Sequence, residues 1–227
     1  MSDGRHAPIQ SGGVVTFLDV LGWKGIYDRK QDAISSLTNL VDGIRLQAER
    51  QRGRVVGDAS IKSISDTIVI FTPCNETEIN TAIEIHGLLC QWAIPESIAA
   101  EIPVRGAIAY GEYETKDNIF VGKAVDEAAS WHEQADWIGV HLTPSAQFSF
   151  SPDAQSNLWK EFSPPNKNRL NWAPYCVNWT ASWTDRQKEV ERIKEKFRRL
   201  GPIVPEISGK FVHTLKFIEA TTPQEQQ

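Results

Sequence analysis

Apolar residues recur along the chain with two spacings, that of buried strands and that of amphipathic helices. An apolar, β-branched run at residues 14–20 predicts a buried strand. Apolar positions three and four residues apart then predict a helix over residues 31–51. Two short strand-like runs, 59–64 and 67–72, follow with only two residues between them. We therefore predict a tight hairpin with Asp66 at its tip.

The next part of the chain continues this alternation of helices and strands. The spacings predict a helix at 76–92, strands at 102–110 and 118–121, a helix at 124–134, a strand at 137–142 and a helix starting at 143. The order of strand, helix, two strands, helix and strand is that of a ferredoxin-like βαββαβ core. The predicted fold class is therefore α+β, an antiparallel sheet with helices on one face.

Residues 148–220 have a less regular pattern, which we interpret as an extension of the same domain that is mainly helical. Prolines among polar residues predict a loop at 149–169, followed by a strand at 171–179 and by helices at 185–200 and 209–219. The expected organisation is a flexible N-terminus at 1–13, one domain at 14–220 with its core at 14–147, and a disordered tail at 221–227.

Charge and composition narrow the class of protein. The net charge of −5 and the pI near 5.6 do not favour polyanion binding, so we expect no nucleic-acid partner. No run approaches the ~18 apolar residues of a membrane span, and no apolar leader follows Met1. The cysteines are odd in number and scattered: Cys74, Cys90 and Cys176. These observations predict a cytoplasmic protein without membrane association.

Two carboxylates are the first candidates for chemistry. Asp19 lies at the end of the first predicted strand, where desolvating a carboxylate costs several kcal/mol unless it has a partner. The predicted hairpin brings Asp66 beside this strand end, and a divalent cation such as Mg²⁺ or Mn²⁺ would relieve the repulsion. Two alternatives remain for Asp19, a helix cap or an ion pair with Arg105. The alternative for Asp66 is a simple turn residue.

Four short motifs follow one another along residues 14–147. They are FLDVLGW from Phe17 to Trp23, KSISD from Lys62 to Asp66, VRGAIAYG from Val104 to Gly111, and VGKAVDEAA from Val121 to Ala129. In this order and at these separations they resemble the motifs of the class III nucleotide cyclase catalytic domain. The resemblance implies two divalent cations, Mn²⁺ or Mg²⁺, on Asp19, Asp66 and the Val20 carbonyl. It further implies triphosphate contacts from the backbone amides of Leu21, Gly22 and Trp23, at a helix N-terminus.

The resemblance also suggests roles for two basic residues. Arg105 matches an arginine that binds the triphosphate, and the alternative is a structural ion pair. Lys62 matches the lysine with which purine cyclases read the base, although it could equally face solvent. His132, on a predicted helix, could also reach the site, or it could serve in packing.

The fourth motif departs from the purine cyclases. Asp126 and Ser130 stand where those enzymes have an asparagine and an arginine that steadies charge on the phosphate. An ionised aspartate donates no hydrogen bond, and serine supplies no charge. The missing cation must then come from Arg105, Lys123 or a basic residue of the C-terminal region, or the domain is inactive.

With this altered fourth motif, the chain resembles the bacterial pyrimidine cyclases of Pycsar anti-phage systems. That likeness implies conversion of UTP to 3′,5′-cyclic UMP and pyrophosphate, as a second messenger in anti-phage defence. It implies a homodimer with active sites at the interface, and a separate effector protein that senses the product. The alternatives are a cytidylate cyclase acting on CTP, a purine cyclase, and an inactive cyclase-like domain that binds a nucleotide or a protein.

Overall fold

The computed structural model describes residues 11–168, 170, 172–200 and 205–222. Its first half contains strands β1 (Ser11–Val20), β2 (Ser60–Ile64), β3 (Thr67–Pro73) and β4 (Val104–Lys116), and helices α1 (Ala33–Glu49) and α2 (Ile79–Ala99). Its second half contains β5 (Ile119–Val121), α3 (Lys123–Gln134), β6 (Val140–Leu142), α4 (Pro144–Phe148), β7 (Trp159–Glu161), β8 (Tyr175–Val177), α5 (Arg186–Arg199) and α6 (Pro205–Ala220).

One mixed sheet forms the centre of the molecule. Its strand order is β2-β3-β1-β4-β6-β8-β7, and β5 pairs with β4 as a short hairpin arm. The first four strands are antiparallel neighbours in the order 2-3-1-4 of a ferredoxin-like βαββαβ core, whereas β6 runs parallel to β4. The predicted α+β fold class is therefore confirmed.

Helices cover both faces of this sheet, so the prediction of helices on one face is wrong. On one side, Leu18 of β1 joins the large core formed with α1 and α2. On the other side, Phe17 of β1 packs with Val125 and Ala128 of α3. The cause lies in β1, whose apolar residues between Val14 and Val20 fall on both faces of the strand, as is typical of a strand buried on both faces.

The domain ends differ from the prediction. β1 begins at Ser11, so residues 11–13 form part of a strand that continues into the predicted core and are not a flexible end. Residues 1–10 and 223–227 lie outside the described residues, as do parts of the predicted N-terminus and tail. The second helix continues to Ala99, because apolar and small residues continue past Trp92 and Pro95 does not end the helix.

The extension contributes strands to the central sheet as well as helices. β8 pairs with both β6 and β7, so the prediction of a loop over 149–169 is wrong at β7. Trp159 is buried there, with its ring 5.2 Å from that of Phe150. A strand of three residues is too short for an alternating pattern to reveal. Within the described residues, no helix is long and apolar enough to cross a membrane.

Candidate active site

Asp19 forms an ion pair with Arg105 across the central strands. The two residues are partners in the register of β1 and β4, and Arg105 Nε and Nη2 each lie 3.1 Å from Asp19 Oδ2. Arg105 Nη1 donates to the carbonyl oxygens of Glu133 and Ala135, at 3.2 and 2.9 Å, where α3 ends. The side chains are 18% and 11% exposed. The sequence offered this ion pair as the alternative to metal binding by Asp19 and to triphosphate binding by Arg105. It leaves Asp19 Oδ1 without a hydrogen bond among the described residues.

The β2–β3 hairpin brings Asp66 to the same end of β1, as predicted. Ser65 and Asp66 form the two-residue turn, and Ser65 adopts a left-handed φ of 56°. Thr67 pairs with Asp19, and the Val20 amide donates to the Asp66 carbonyl oxygen at 3.1 Å. Among the described residues, the Asp66 carboxylate has no hydrogen-bond or ion-pair partner. Two carboxylates with unused oxygens therefore flank the end of β1.

The loop after β1 differs from the predicted helix N-terminus. The Leu21 amide donates to the Pro103 carbonyl oxygen at 2.8 Å, so it is not free to bind a phosphate. Gly22 and Gly25 have φ of 73° and 75°, which interrupts a helix. Only a three-residue 3₁₀ turn follows, and α1 begins at Ala33. The predicted helix N-terminus is therefore absent from this loop, while phosphate contacts from the Gly22 and Trp23 amides stay a prediction.

Arg29 covers this loop and was not singled out from sequence. Its Nη2 donates to the Gly22 carbonyl oxygen at 2.7 Å. Trp23 is half-buried against the large core, and its carbonyl oxygen accepts from the Ile26 amide at 2.9 Å. No spacing in the sequence reveals the Arg29 contact, because it depends on how the two glycines turn the chain.

His132 lies beside the Asp19–Arg105 pair. Its buried ring stacks on Phe17, with centroids 5.7 Å apart and planes 26° apart. Burial lowers the pKa of His132, and the nearby Arg105 guanidinium lowers it further, while Asp19 opposes both. A neutral imidazole at pH 7 follows, packed at the base of the site.

Lys62 points away from the two carboxylates. Its Nζ lies 5.9 Å above the Phe71 ring and donates to the carbonyl oxygen of Asp117 in the β4–β5 turn. Phe71 pairs with Val15, four residues before Asp19, which is about 13 Å along the strand. One chain therefore does not bring Lys62 to the carboxylates.

Lys123, at the start of α3, is also remote from the carboxylates. Lys123 begins the helix and pairs with Glu112 at 3.3 Å, whereas Arg105 contacts the opposite end of α3, about 15 Å away along the helix. Asp126 and Ser130 are exposed, and the Ser130 hydroxyl donates to the Asp126 carbonyl oxygen at 2.7 Å. Of the three sources considered for a missing cation, Arg105 is fully engaged and Lys123 is distant.

The donors at the end of β1 suit a cation that is shared with a substrate. Asp19 and Asp66 offer hard carboxylate oxygens, and Mg²⁺ usually binds through one or two carboxylates plus waters and phosphates. No group of three or more acidic, histidine or cysteine side chains suited to a metal occurs in the described parts of the chain. The residues therefore fit Mg²⁺ or Mn²⁺ brought with a phosphate ligand better than a metal enclosed by protein alone.

The fold resembles nucleotide cyclases of known structure. The catalytic core of a rhodopsin-guanylyl cyclase with converted specificity, in complex with ATPαS, is 17% identical with a TM-score of 0.52, covering 74% of this chain and 95% of that one. The guanylyl cyclase Cya2 is 10% identical with a TM-score of 0.51, and the match covers 75% of this chain and 93% of that one. The adenylate/guanylate cyclase/hydrolase from Silicibacter pomeroyi is 15% identical with a TM-score of 0.50, and the match covers 75% of this chain and 96% of that one.

A bacterial light-regulated adenylyl cyclase gives a TM-score of 0.47 at 12% identity, and the match covers 85% of this chain and 59% of that chain. No protein-family model matches the chain, and no curated protein is similar to it in sequence. The likeness is therefore one of architecture: this chain has the fold of class III adenylate and guanylate cyclase domains.

Proposed function

We propose that the protein is a nucleotide cyclase that converts UTP to 3′,5′-cyclic UMP and pyrophosphate. The placement of Asp19 and Asp66 carries the proposal, because both carboxylates flank the end of β1 with oxygens free for cations. The fold supports it, since the solved structures that this chain resembles include nucleotide cyclase domains.

The chemistry needs an ionised 3′-oxygen and a stabilised triphosphate. Two divalent cations, held by Asp19, Asp66 and the Val20 carbonyl, would lower the pKa of the ribose 3′-hydroxyl and offset the phosphate charge. The 3′-oxygen then bonds to the α-phosphorus as the bond to the bridging oxygen breaks, releasing pyrophosphate, while the hydroxyl proton passes to water. Arg105 orients Asp19 through Oδ2 and leaves Oδ1 for the metal.

A second copy of the chain completes the proposed site. Lys62 lies away from the carboxylates of its own chain, and Asp126 and Ser130 are exposed on the outer face of α3. We propose a homodimer in which these residues face the carboxylates of the partner, with the active sites at the interface. Lys62 would then offer its ammonium to an acceptor on the base.

The choice of a pyrimidine base rests on α3. Asp126 and Ser130 supply no cation there, and the Ser130 hydroxyl is already bonded within its own helix. This is the departure that separates the chain from purine cyclases. Uracil and cytosine both present an acceptor that Lys62 can contact, and we favour UTP over CTP from the likeness to the Pycsar enzymes.

Incubation with each of the four nucleoside triphosphates and Mn²⁺, followed by chromatography, tests the proposal. We expect cyclic UMP from UTP and less or no product from the others. Cyclic AMP or cyclic GMP as the main product would contradict the pyrimidine assignment. Cyclic CMP as the main product would show that the substrate is CTP and not UTP. The absence of any cyclic product would contradict the proposal that the protein is a nucleotide cyclase.

The biological role proposed with this activity is anti-phage defence, in which a separate effector protein senses the product. We expect cells that carry the protein to accumulate cyclic UMP after phage infection, and cells with the Asp19→Asn variant to accumulate none. Equal levels of cyclic UMP in both, or no rise after infection, would contradict this role.

A further inference from the structure

A pocket of about 300 Å³ lies where the β1–α1 loop meets the C-terminal helices. Its described lining combines four apolar residues with two basic ones: Leu21, Pro103, Leu200, Phe211, Arg29 and Lys210. A volume of this size is at the lower end of the range for small-molecule sites. None of the chemistry proposed above uses it.

The pocket and the Asp19 carboxylate are on different sides of the sheet. Leu21, Leu200 and Phe211 pack against the core on the α1 and α2 side. Phe17 belongs to the core beneath α3, and Asp19, two residues further along β1, shares its face. The two sites have the β1–α1 loop in common, because Gly22 also lines the pocket.

Both basic residues have unused hydrogen-bond donors. Lys210 forms an ion pair with Asp136, but its Nζ lies 3.7 Å from Oδ1, beyond hydrogen-bond distance, so its N–H groups remain available although the side chain is only 19% exposed. The Arg29 guanidinium is bonded through Nη2 to backbone carbonyls, and its other nitrogens have no partner among the described residues. Two cations beside an apolar wall recognise a ligand that has an anionic group on an apolar body.

We propose that this pocket binds a small amphipathic anion, a carboxylate or phosphate carried on an apolar group. The anion contacts Arg29 and Lys210, and the apolar group packs on Phe211 and Leu200. An anion that engages Arg29 competes with the Gly22 carbonyl oxygen for the guanidinium. Occupancy of the pocket therefore acts on the loop that begins two residues after Asp19.

Calorimetric titration of the full chain with phenyl phosphate tests the pocket. We expect binding to the wild-type protein, at least about tenfold weaker binding to Lys210→Gln, and unchanged binding to Lys216→Gln. Lys216 is the matched control because it is exposed on the same helix. Inorganic phosphate and phenol, each with half of the recognition elements, should both bind at least about tenfold more weakly than phenyl phosphate.

Equal affinity for phenyl phosphate in Lys210→Gln and wild type, or no binding to the wild type, would overturn the proposal. If Lys210→Gln unfolds, Arg29→Gln serves in its place, with the same expected loss, because Arg29 is an exposed residue.

A second titration, with UTP and Mn²⁺ present, shows whether the pocket binds a separate ligand or the phosphates of the substrate. Retained binding of phenyl phosphate supports a site apart from the substrate, and complete displacement by UTP overturns it. Because these measurements follow binding alone, they do not depend on whether the protein cyclises a nucleotide. A failure to form cyclic product would count against the proposed function and not against this pocket.

Discussion

At the scale of single residues, Asp19 and Asp66 can each be neutralised with little change of shape. We expect Asp19→Asn and Asp66→Asn to lower cyclase activity at least about 100-fold, or about 3 kcal/mol in activation free energy, because a neutral amide holds a divalent cation poorly. The measurement is the initial rate of cyclic UMP formation with saturating Mn²⁺. Asp42→Asn is the control, since Asp42 is exposed on α1 and forms an ion pair with Arg45 on the same helix. Full activity in either site variant would refute the metal assignment.

Two buried histidines differ in how their rings are satisfied. The two ring nitrogens of His86 lie 2.6 and 2.9 Å from the hydroxyls of Thr16 and Thr72. His141 Nδ1 is buried without a hydrogen bond among the described residues, beside the ring of Trp131. Burial lowers the pKa of His86 to about 3 and that of His141 to about 4, so both are neutral at pH 7.

We therefore expect the same substitution to cost much more stability at His86 than at His141. His86→Phe should lower the free energy of unfolding at pH 7 by about 2–4 kcal/mol, because two buried hydroxyls lose their partner. His141→Phe should change it by less than about 1 kcal/mol, because no hydrogen bond is lost. Urea unfolding of both variants measures this, and a similar loss in both would contradict it.

Acid should separate His141→Phe from the wild type. The folded pKa of His141, about 4, lies below its unfolded value of 6.5, so the stability it contributes is complete above pH 6.5 and is lost as the pH falls towards 4. Protonation of this group should lower the free energy of unfolding of the wild type by up to about 1.4 kcal/mol per pH unit. His141→Phe should not show this contribution. Identical pH profiles between pH 6.5 and pH 4.5 would show that His141 does not titrate as expected.

At the scale of elements, α1 and α2 approach each other at Gly43. A Cβ added to Gly43 would lie 2.0 Å from Trp92 Cη2. We expect Gly43→Ala to lower the free energy of unfolding by about 1–3 kcal/mol through overpacking, although alanine favours a helix by about 1 kcal/mol. In a Trp92→Leu background the same change should cost nothing. A cost that persists in that background would mean that the indole is not the obstacle.

Sequence patterns predicted the long elements better than the short ones. α1 and the strands around Asp66 match because their periodic patterns extend over several residues and their turn has only two. The sequence pattern does not reveal β7 because three residues cannot show a period, and the place of this strand depends on its pairing with distant β8. The same holds for the site. The ion pair of Asp19 with Arg105 could be named as an alternative because both residues lie in predicted strands, which pair in register. The Arg29 contact depends on glycines with left-handed φ, which no residue spacing in the sequence reveals.

At the scale of the whole molecule, the extension completes the core. Trp137, within the predicted core region, is fully buried, with its ring 4.8 Å from Phe217 of α6 and 5.7 Å from Phe162. We expect a chain ending at residue 150 to unfold without a cooperative thermal transition and to bind an apolar dye, whereas a chain ending at residue 222 unfolds cooperatively. A sharp transition in the shorter chain would show that the core folds without its extension.

The proposed dimer has its own test. Asp19→Asn and Lys62→Ala should each be inactive alone, because each removes one half of every site. Mixed in equal amounts, they should recover roughly a quarter of wild-type activity, since half of the dimers are mixed and each has one intact site. If the mixture stays inactive while each variant folds, Lys62 and Asp19 of different chains do not share a site.

Arg105 ties together two parts of the molecule that the proposed reaction needs for different purposes. The same guanidinium contacts Asp19 on β1 and the carbonyl oxygens of Glu133 and Ala135 at the end of α3, the helix whose outer face carries Asp126 and Ser130. A ligand that draws Arg105 towards its phosphates must also alter the support of α3. If the proposed dimer depends on that support, nucleotide affinity and self-association are reciprocal quantities, and each changes the other by the same factor. The chain would sense its own concentration through its substrate.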